Sequence, residues 1–112
     1  MELTVGIILA ENNKMLLVHP TGANFWNIPK GIQEDGETDW VTAKRELHEE
    51  TNINLADYNY SIIKESAFYK YKKRSKYAKA FLVILNEKIK RELKCNTFFD
   101  NFDKGNIIAT HD

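Results

Sequence analysis

Between Thr38 and Thr51 the sequence TDWVTAKRELHEET reads as an α-helix with two unlike faces. At about 100° per residue, Trp40, Ala43 and Leu47 line up as a narrow apolar stripe, which needs a flat apolar surface such as a sheet to cover it. On the adjoining face Glu46, Glu49 and Glu50 fall within an arc of roughly 100°. Three negative charges therefore share one side of the helix, behind a loop punctuated by Gly31 and Gly36.

The sheet that the stripe requires is legible on both sides of the helix. Leu3–Ala10 (LTVGIILA) and Met15–His19 (MLLVH) are β-rich, and Glu11-Asn12-Asn13-Lys14 between them has the composition of a turn, which predicts an opening hairpin. Both arms are too uniformly apolar for a half-exposed strand, so at least one is expected centrally in a sheet covered on both faces. His19, at a strand end before Pro20, reads as structural rather than as a ligand. Asn27-Ile28-Pro29-Lys30 is a short segment whose proline limits pairing. After the helix, Asn52 occupies a position that favours a left-handed backbone, and Ile53–Leu55 returns towards the sheet. Tyr60–Tyr71 and Tyr77–Leu85 predict a second hairpin with the basic tip Lys72-Lys73-Arg74-Ser75-Lys76. Asn86–Asn96 reads either as a short helix, with Ile89 and Leu93 at helical spacing, or as a strand with Ile89, Leu93 and Cys95 on one face, and the strand is preferred; Thr97–Asp112 shows no terminal helix.

The 112 residues suffice for one domain, 1–112, with a modest core. Net charge is zero but unevenly spread. Residues 31–57 hold eight acids against Lys44 and Arg45, a balance of minus six; residues 64–94 hold eleven Lys and Arg against Glu65, Glu87 and Glu92, a balance of plus eight. Such local patches suit an anionic small ligand better than general nucleic-acid binding. Cys95, the single cysteine, excludes an internal disulfide, fits a reducing compartment and reads as an inert structural thiol. Neither a membrane span nor a signal-peptide pattern is present, so a cytoplasmic location without membrane association is expected.

Like charges crowded on one face raise carboxyl pKa values unless a cation neutralises them, and an all-oxygen donor set favours Mg²⁺, or Mn²⁺, over zinc. Taken alone, three helical glutamates are more often a solvated face. Lys30, directly before the loop, reads as a phosphate contact. Trp26 reads equally as a stacking surface for a base, with Phe25 beside it, or as cover for the core.

The spacing decides between these readings. Gly31, five residues, Glu37, seven residues and then Arg45-Glu46-Leu47-His48-Glu49-Glu50-Thr51-Asn52-Ile53 resembles the Nudix box of the Nudix hydrolases, with Asn52 where the family has glycine. Asn also takes positive φ, so that departure bears on loop geometry and not on the metal ligands. The resemblance implies an α/β/α sandwich around a mixed sheet and Mg²⁺-dependent hydrolysis of a diphosphate linkage in a nucleoside diphosphate derivative. It implies Glu46, Glu49 and Glu50 as metal ligands, with a backbone carbonyl near Lys30 or Gly31, and Glu37 and Arg45 as a supporting ion pair. His48 is read as a surface residue. The general base is Glu49 or Glu50, with Glu87, Glu92 and Asp100 as later carboxylates. The family generally continues into a further helix on the sheet, part of which this chain lacks; a truncated product, or a homodimer covering the gap, would account for that, and otherwise the exposed sheet face should leave the monomer poorly stable.

The lead-in Trp26-Asn27-Ile28-Pro29-Lys30-Gly31 resembles that of members acting on dinucleoside polyphosphates or diphosphoinositol polyphosphates, with a related form in RNA 5′-pyrophosphohydrolases. The expected substrate is a dinucleoside polyphosphate such as diadenosine tetraphosphate, with Lys72 and Arg74 gripping phosphates and Trp26 or Phe25 stacking on adenine. Nucleoside triphosphates, RNA 5′ ends, ADP-ribose and diphosphoinositol polyphosphates are the alternative substrates. A noncatalytic nucleotide-binding module and an inactive relic are the competing classes.

Overall fold

The computed structural model describes residues 2–18, 24–71 and 75–90 in full, and the backbone of 107–111. The predicted opening hairpin is β1, Glu2–Glu11, and β2, Lys14–Val18. Asn12 and Asn13 join them at φ 48° and 66°. Both are left-handed values that Asn tolerates and that a two-residue hairpin loop requires.

β1 is the central strand, as its uniform apolarity demanded. Along one edge it pairs in parallel with β6, Lys76–Leu85, from Glu2 opposite Lys76 to Ala10 opposite Ile84. Its other edge is shared between β2 and the short β3, Lys30–Ile32, which lies antiparallel across Thr4–Gly6. Gly6 permits that crossing: a Cβ there would stand 2.8 Å from the Lys30 Cβ and 2.9 Å from the Pro29 carbonyl, a separation that real Cβ atoms do not show. The proline therefore precedes β3, and its carbonyl accepts from the Ile7 amide at 3.1 Å. Gly31 and Ile32 belong to this strand, so the loop expected from Gly31 starts only after Ile32.

The second hairpin forms, with an interruption. β4, Tyr60–Glu65, and β5, Tyr69–Lys70, both pair antiparallel with β6, and the register shifts between Ile62 and Lys64. Ser66 bridges the gap by hydrogen-bonding the Ala80 backbone through both its amide and its hydroxyl, each at 2.9 Å. The remaining strand is β7, Ile107–His111, antiparallel to β2, and the path across the sheet is β4-β6-β1-β2-β7. The sequence reading assigned no element to Thr97–Asp112. A five-residue strand whose partner lies near the other end of the chain has no local signal beyond weak β propensity.

The helix, α1, spans Asp39–Thr51. Thr38 caps it, its hydroxyl accepting from the Val41 amide at 3.2 Å, and Asn52 closes it at φ 70° with its amide bonded to the His48 carbonyl. Ala43 and Leu47 are fully buried against Val5, Ile7 and Leu9 of β1 and Val83 of β6, and the Trp40 ring meets Phe81 edge-on at 5.0 Å. A 3₁₀ turn, Leu55–Asp57, then seats Ile53 and Leu55 in the same core. Alternate residues of β1 (Thr4, Ile8 and Ala10) face the other side of the sheet and are only half-buried. Replacing Asn52 by Ala forces a Cβ-bearing residue without a compensating polar side chain into the left-handed region, a cost of about 1 kcal/mol. The expected consequence is a melting temperature about 4–8 °C lower by differential scanning calorimetry; an unchanged midpoint would contradict this role for Asn52.

The architecture is an α/β sandwich on a mixed sheet, as expected; α1 is the α-helix among the described residues, and the second helical layer of the expected α/β/α arrangement is not among them. The strand expected over Asn86–Asn96 is absent from its described part. Asn86–Lys90 leaves the sheet, held by the Asn86 amide on the Asn59 carbonyl and the Lys90 amide on the Tyr58 hydroxyl, both at 2.9 Å. His19, Lys72, Lys73, Arg74, Glu92, Cys95 and Asp100 lie outside the described residues. No helix among the described residues is long and apolar enough to cross a membrane.

Candidate active site

Packing the apolar stripe of α1 on β1 fixes the direction of its acidic face, which meets the strand β3. Opposite Gly31 stands the Glu46 carboxylate: a Cβ on Gly31 would overlap it. Glycine is needed here because strand and carboxylate share the space, and its φ is not in the left-handed region. One turn on, Glu50 is hydrogen-bonded to Glu46 and accepts the backbone N–H of Lys30. Burial and the Glu46 carboxylate push the Glu50 carboxyl up to about 9, against the weaker opposing pull of Lys30.

Arg45 holds the loop to the helix. Its Nε and Nη2 donate to the two oxygens of Glu37 at 2.7 and 3.0 Å, a bidentate fork, and Nη2 also donates to the Ile32 carbonyl at 3.1 Å. Nη1 turns the other way, to Glu46 at 2.7 Å and to both Glu49 oxygens at 3.4 Å. The predicted pairing of Glu37 with Arg45 is thus present, and the same guanidinium also reaches two of the three box glutamates. Glu37 further accepts from the Glu34 amide at 3.0 Å and from the Thr42 hydroxyl at 2.9 Å. The Arg45 fork first, then the Glu34 amide, hold its carboxyl near 2, and Glu37 in turn raises the pKa of Arg45. Sequence reasoning passed over Thr42 and Glu34. Thr42 is fully buried at a helix position facing the loop, and the only clue to it was a small polar residue five positions after Glu37.

The carboxylates of Glu46 and Glu49 differ in access, at 13% and 38% exposed. Among the described residues no three His, Cys, Asp or Glu side chains already converge as a metal cage, and Glu46 and Glu49 both meet Arg45. Glu46 and Glu50 do converge, and two carboxyl groups brought together beside the Lys30 amide are an all-oxygen donor set that fits a hard dication.

The remaining predicted residues divide. Lys30 sends its backbone to Glu50, and with Gly6, Ala78, Ala80 and Tyr69 it lines a trough of about 230 Å³ on the far face of the sheet. Phe25 and Trp26 are 52% and 39% exposed and do not line that trough. His48 is exposed, as expected. Glu87 accepts from the Asn59 amide at 2.6 Å and pairs with Lys90 at 3.1 Å, contacts that lower its pKa and tie it to the chain after β6.

A mixed sheet backed by one helix, with the helix's carboxylates meeting a glycine in a strand and an arginine fastening the preceding loop, defines an α/β domain of one recognisable class. The chain belongs to the NUDIX domain family, whose profile matches residues 2–103. Its fold is similar to a NUDIX hydrolase from Nitrosomonas europaea, with TM-score 0.74 and 23% identity over 99% of this chain and 57% of that one. A C. elegans Ap4A hydrolase in a binary complex gives TM-score 0.73 at 22% identity, covering 99% of this chain and 80% of that one. In sequence, 61 residues are 33% identical to an RNA pyrophosphohydrolase of Rhodopseudomonas palustris, covering 47% of this chain and 36% of that protein. The chain thus spans well under half the length of that curated relative.

Proposed function

We propose that this chain is a Nudix hydrolase that cleaves a diphosphate linkage in a nucleoside diphosphate derivative, with a dinucleoside polyphosphate such as diadenosine tetraphosphate as its first substrate. The observation that carries this reading is the convergence of Glu46 and Glu50 on Gly31 and the Lys30 amide, with Arg45 holding Glu49 beside them. Mg²⁺, or Mn²⁺, would be held by Glu46, Glu49 and Glu50 together with a carbonyl of Lys30 or Gly31, once Glu49 turns from Arg45. When bound, the ion supplies charge neutralisation on the phosphates and a more acidic water.

The protein's own groups do the rest. Glu46 and Glu50 are fixed by Gly31 and by the Lys30 amide, so two of the three ligands are in place before substrate arrives. Glu49 is the more accessible carboxylate and is not locked to Lys30, so we assign it the proton of the attacking water. The proton leaves the water oxygen for a Glu49 oxygen, the new bond forms to phosphorus, and the bridging oxygen departs with the leaving phosphate. Lys30 contributes a point charge to the phosphate chain, and the trough on the far face has room for a planar base beside Tyr69. Phe25, Trp26 and the basic stretch containing Lys72 and Arg74 are the further substrate contacts we assign, on their exposure and their charge respectively.

The C. elegans Ap4A hydrolase likeness supports this choice of substrate, and the Rhodopseudomonas palustris relative favours a second reading, an RNA 5′ end. A panel of diadenosine tetraphosphate, 5′-triphosphorylated RNA, ADP-ribose and nucleoside triphosphates, each with Mg²⁺, separates them. The highest kcat/KM is expected on diadenosine tetraphosphate and should vanish with chelator. Faster turnover of RNA or of any other panel member would replace the substrate, and activity in excess EDTA would remove the metal from the proposal.

A further inference from the structure

Lys79 is a lysine set among buried apolar side chains. It sits on β6 opposite Val5, on the sheet face that α1 covers, in a row with Tyr77, Phe81, Val83 and Leu85. Its side chain is only 9% exposed. Nζ donates to Asp39 Oδ2 in the first turn of α1 at 2.8 Å and is paired with Glu65 at the end of β4. It lies over the Phe68 ring at 4.9 Å and near the Phe81 ring at 5.6 Å. The other oxygen of Asp39 accepts from the Gln33 side chain at 2.9 Å, and the Gln33 amide donates to the Leu3 carbonyl at 2.8 Å.

Gln33, Asp39 and Phe68 also line an open cleft of about 750 Å³. Lys79 therefore joins Asp39, and through it Gln33, to Glu65 and Phe68 of the interrupted hairpin. The loop is pinned at two points, by Lys79 through Asp39 and by Arg45 through Glu37 and the Ile32 carbonyl. The second point is also what holds Glu46 and Glu49.

We infer that Lys79 is a positioning residue for the catalytic helix: through Asp39 and Gln33 it fixes the loop that carries Glu37, and through Glu37 and Arg45 the orientation of Glu46. An isolated lysine in a row of buried apolar side chains costs desolvation, and an apolar residue there would pack at least as well for stability alone. The ion pairs tie the first turn of α1 to the end of β4 across β6.

This rests on the hydrolase reading above, and the two are tested apart. Lys79→Met keeps the stem and removes the charge; Lys79→Arg keeps the charge. For Lys79→Met we expect kcat on the best panel substrate to fall about tenfold, the Mg²⁺ concentration for half-maximal rate to rise severalfold, and substrate KM to change much less. Lys79→Arg should restore most of kcat. Asp39→Asn should reproduce the loss, and the double variant Lys79→Met, Asp39→Asn should be no worse than the worse single one, as coupled groups behave. A Lys79→Met protein with native kcat and native metal midpoint, altered only in melting temperature, overturns the inference. If the native chain turns over no panel substrate the hydrolase reading fails, and Mn²⁺ affinity followed by water-proton relaxation then decides: severalfold weaker binding in Lys79→Met, restored in Lys79→Arg, supports the positioning role, and equal binding in all three proteins overturns it.

Discussion

Glu49→Gln is expected to lower kcat by about 10²- to 10³-fold while leaving the melting temperature within a few degrees of native. The two effects separate because the carboxylate does different things in the fold and in the reaction. In the fold Glu49 is 38% exposed and meets Arg45 at 3.4 Å, a long contact in a partly solvated place, worth little in stability. In the proposed reaction Glu49 would take the proton of the attacking water and help hold the cation, and each tenfold in rate corresponds to about 1.4 kcal/mol of barrier, so losing both roles would account for two or three decades. Gln preserves the size and removes only the charge. Steady-state kinetics with Mg²⁺ beside calorimetry checks both halves, and native turnover in the variant would sink the assignment of Glu49.

Arg45→Met should damage both stability and activity. One guanidinium satisfies Glu37 by a fork, touches Glu46 and Glu49, and ties the Ile32 carbonyl, all while 23% exposed. Its removal leaves Glu37 and Glu46, at 14% and 13% exposed, without the guanidinium that both accept from. Leaving a partly buried carboxylate unpaired is among the few single changes with large consequences. A melting temperature about 5–10 °C lower is expected, with turnover reduced at least as much as in Glu49→Gln. The acid limb gives an independent check. Glu37 has its carboxyl held near 2 in the folded protein, below the usual 4.5, so it stabilises the fold above pH 4.5 and loses that contribution as pH falls towards 2. Since Arg45 is the largest cause, Arg45→Met should flatten the stability slope between pH 4.5 and 2. An unchanged slope would show that the Glu34 amide and Thr42 hydroxyl hold the carboxylate by themselves.

How much of this was legible beforehand follows from the range of the interactions involved. The helix was readable because its stripe, its N-cap and its Asn52 terminus are local, each within a turn or two of the residue it serves. The opening hairpin was readable for the same reason, through Asn12 and Asn13. The strand β7 and the departure of Asn86–Lys90 from the sheet were misread, because each depends on a partner far along the chain: β2 in one case, Asn59 and Tyr58 in the other. Gly31 was correctly singled out, but as a loop glycine. Its place in a strand follows only from pairing with Val5.

By itself the sequence determined the motif Gly31, Glu37, Arg45, Glu46, Glu49 and Glu50, and with it the family, since regular spacing on a helix converts directly into a shared face. It also determined the stripe that had to be buried. Only the tertiary structure decided what the acidic face meets, because the rotation of α1 about its axis is set by Ala43 and Leu47 packing on β1. That packing brings Glu46 against a residue with no side chain, Glu50 against the Lys30 amide, and Asp39 over Lys79. The last of these had no expression in sequence, where forty positions separate the partners, and it exists because a parallel β1–β6 pairing carries Lys79 under the start of the helix.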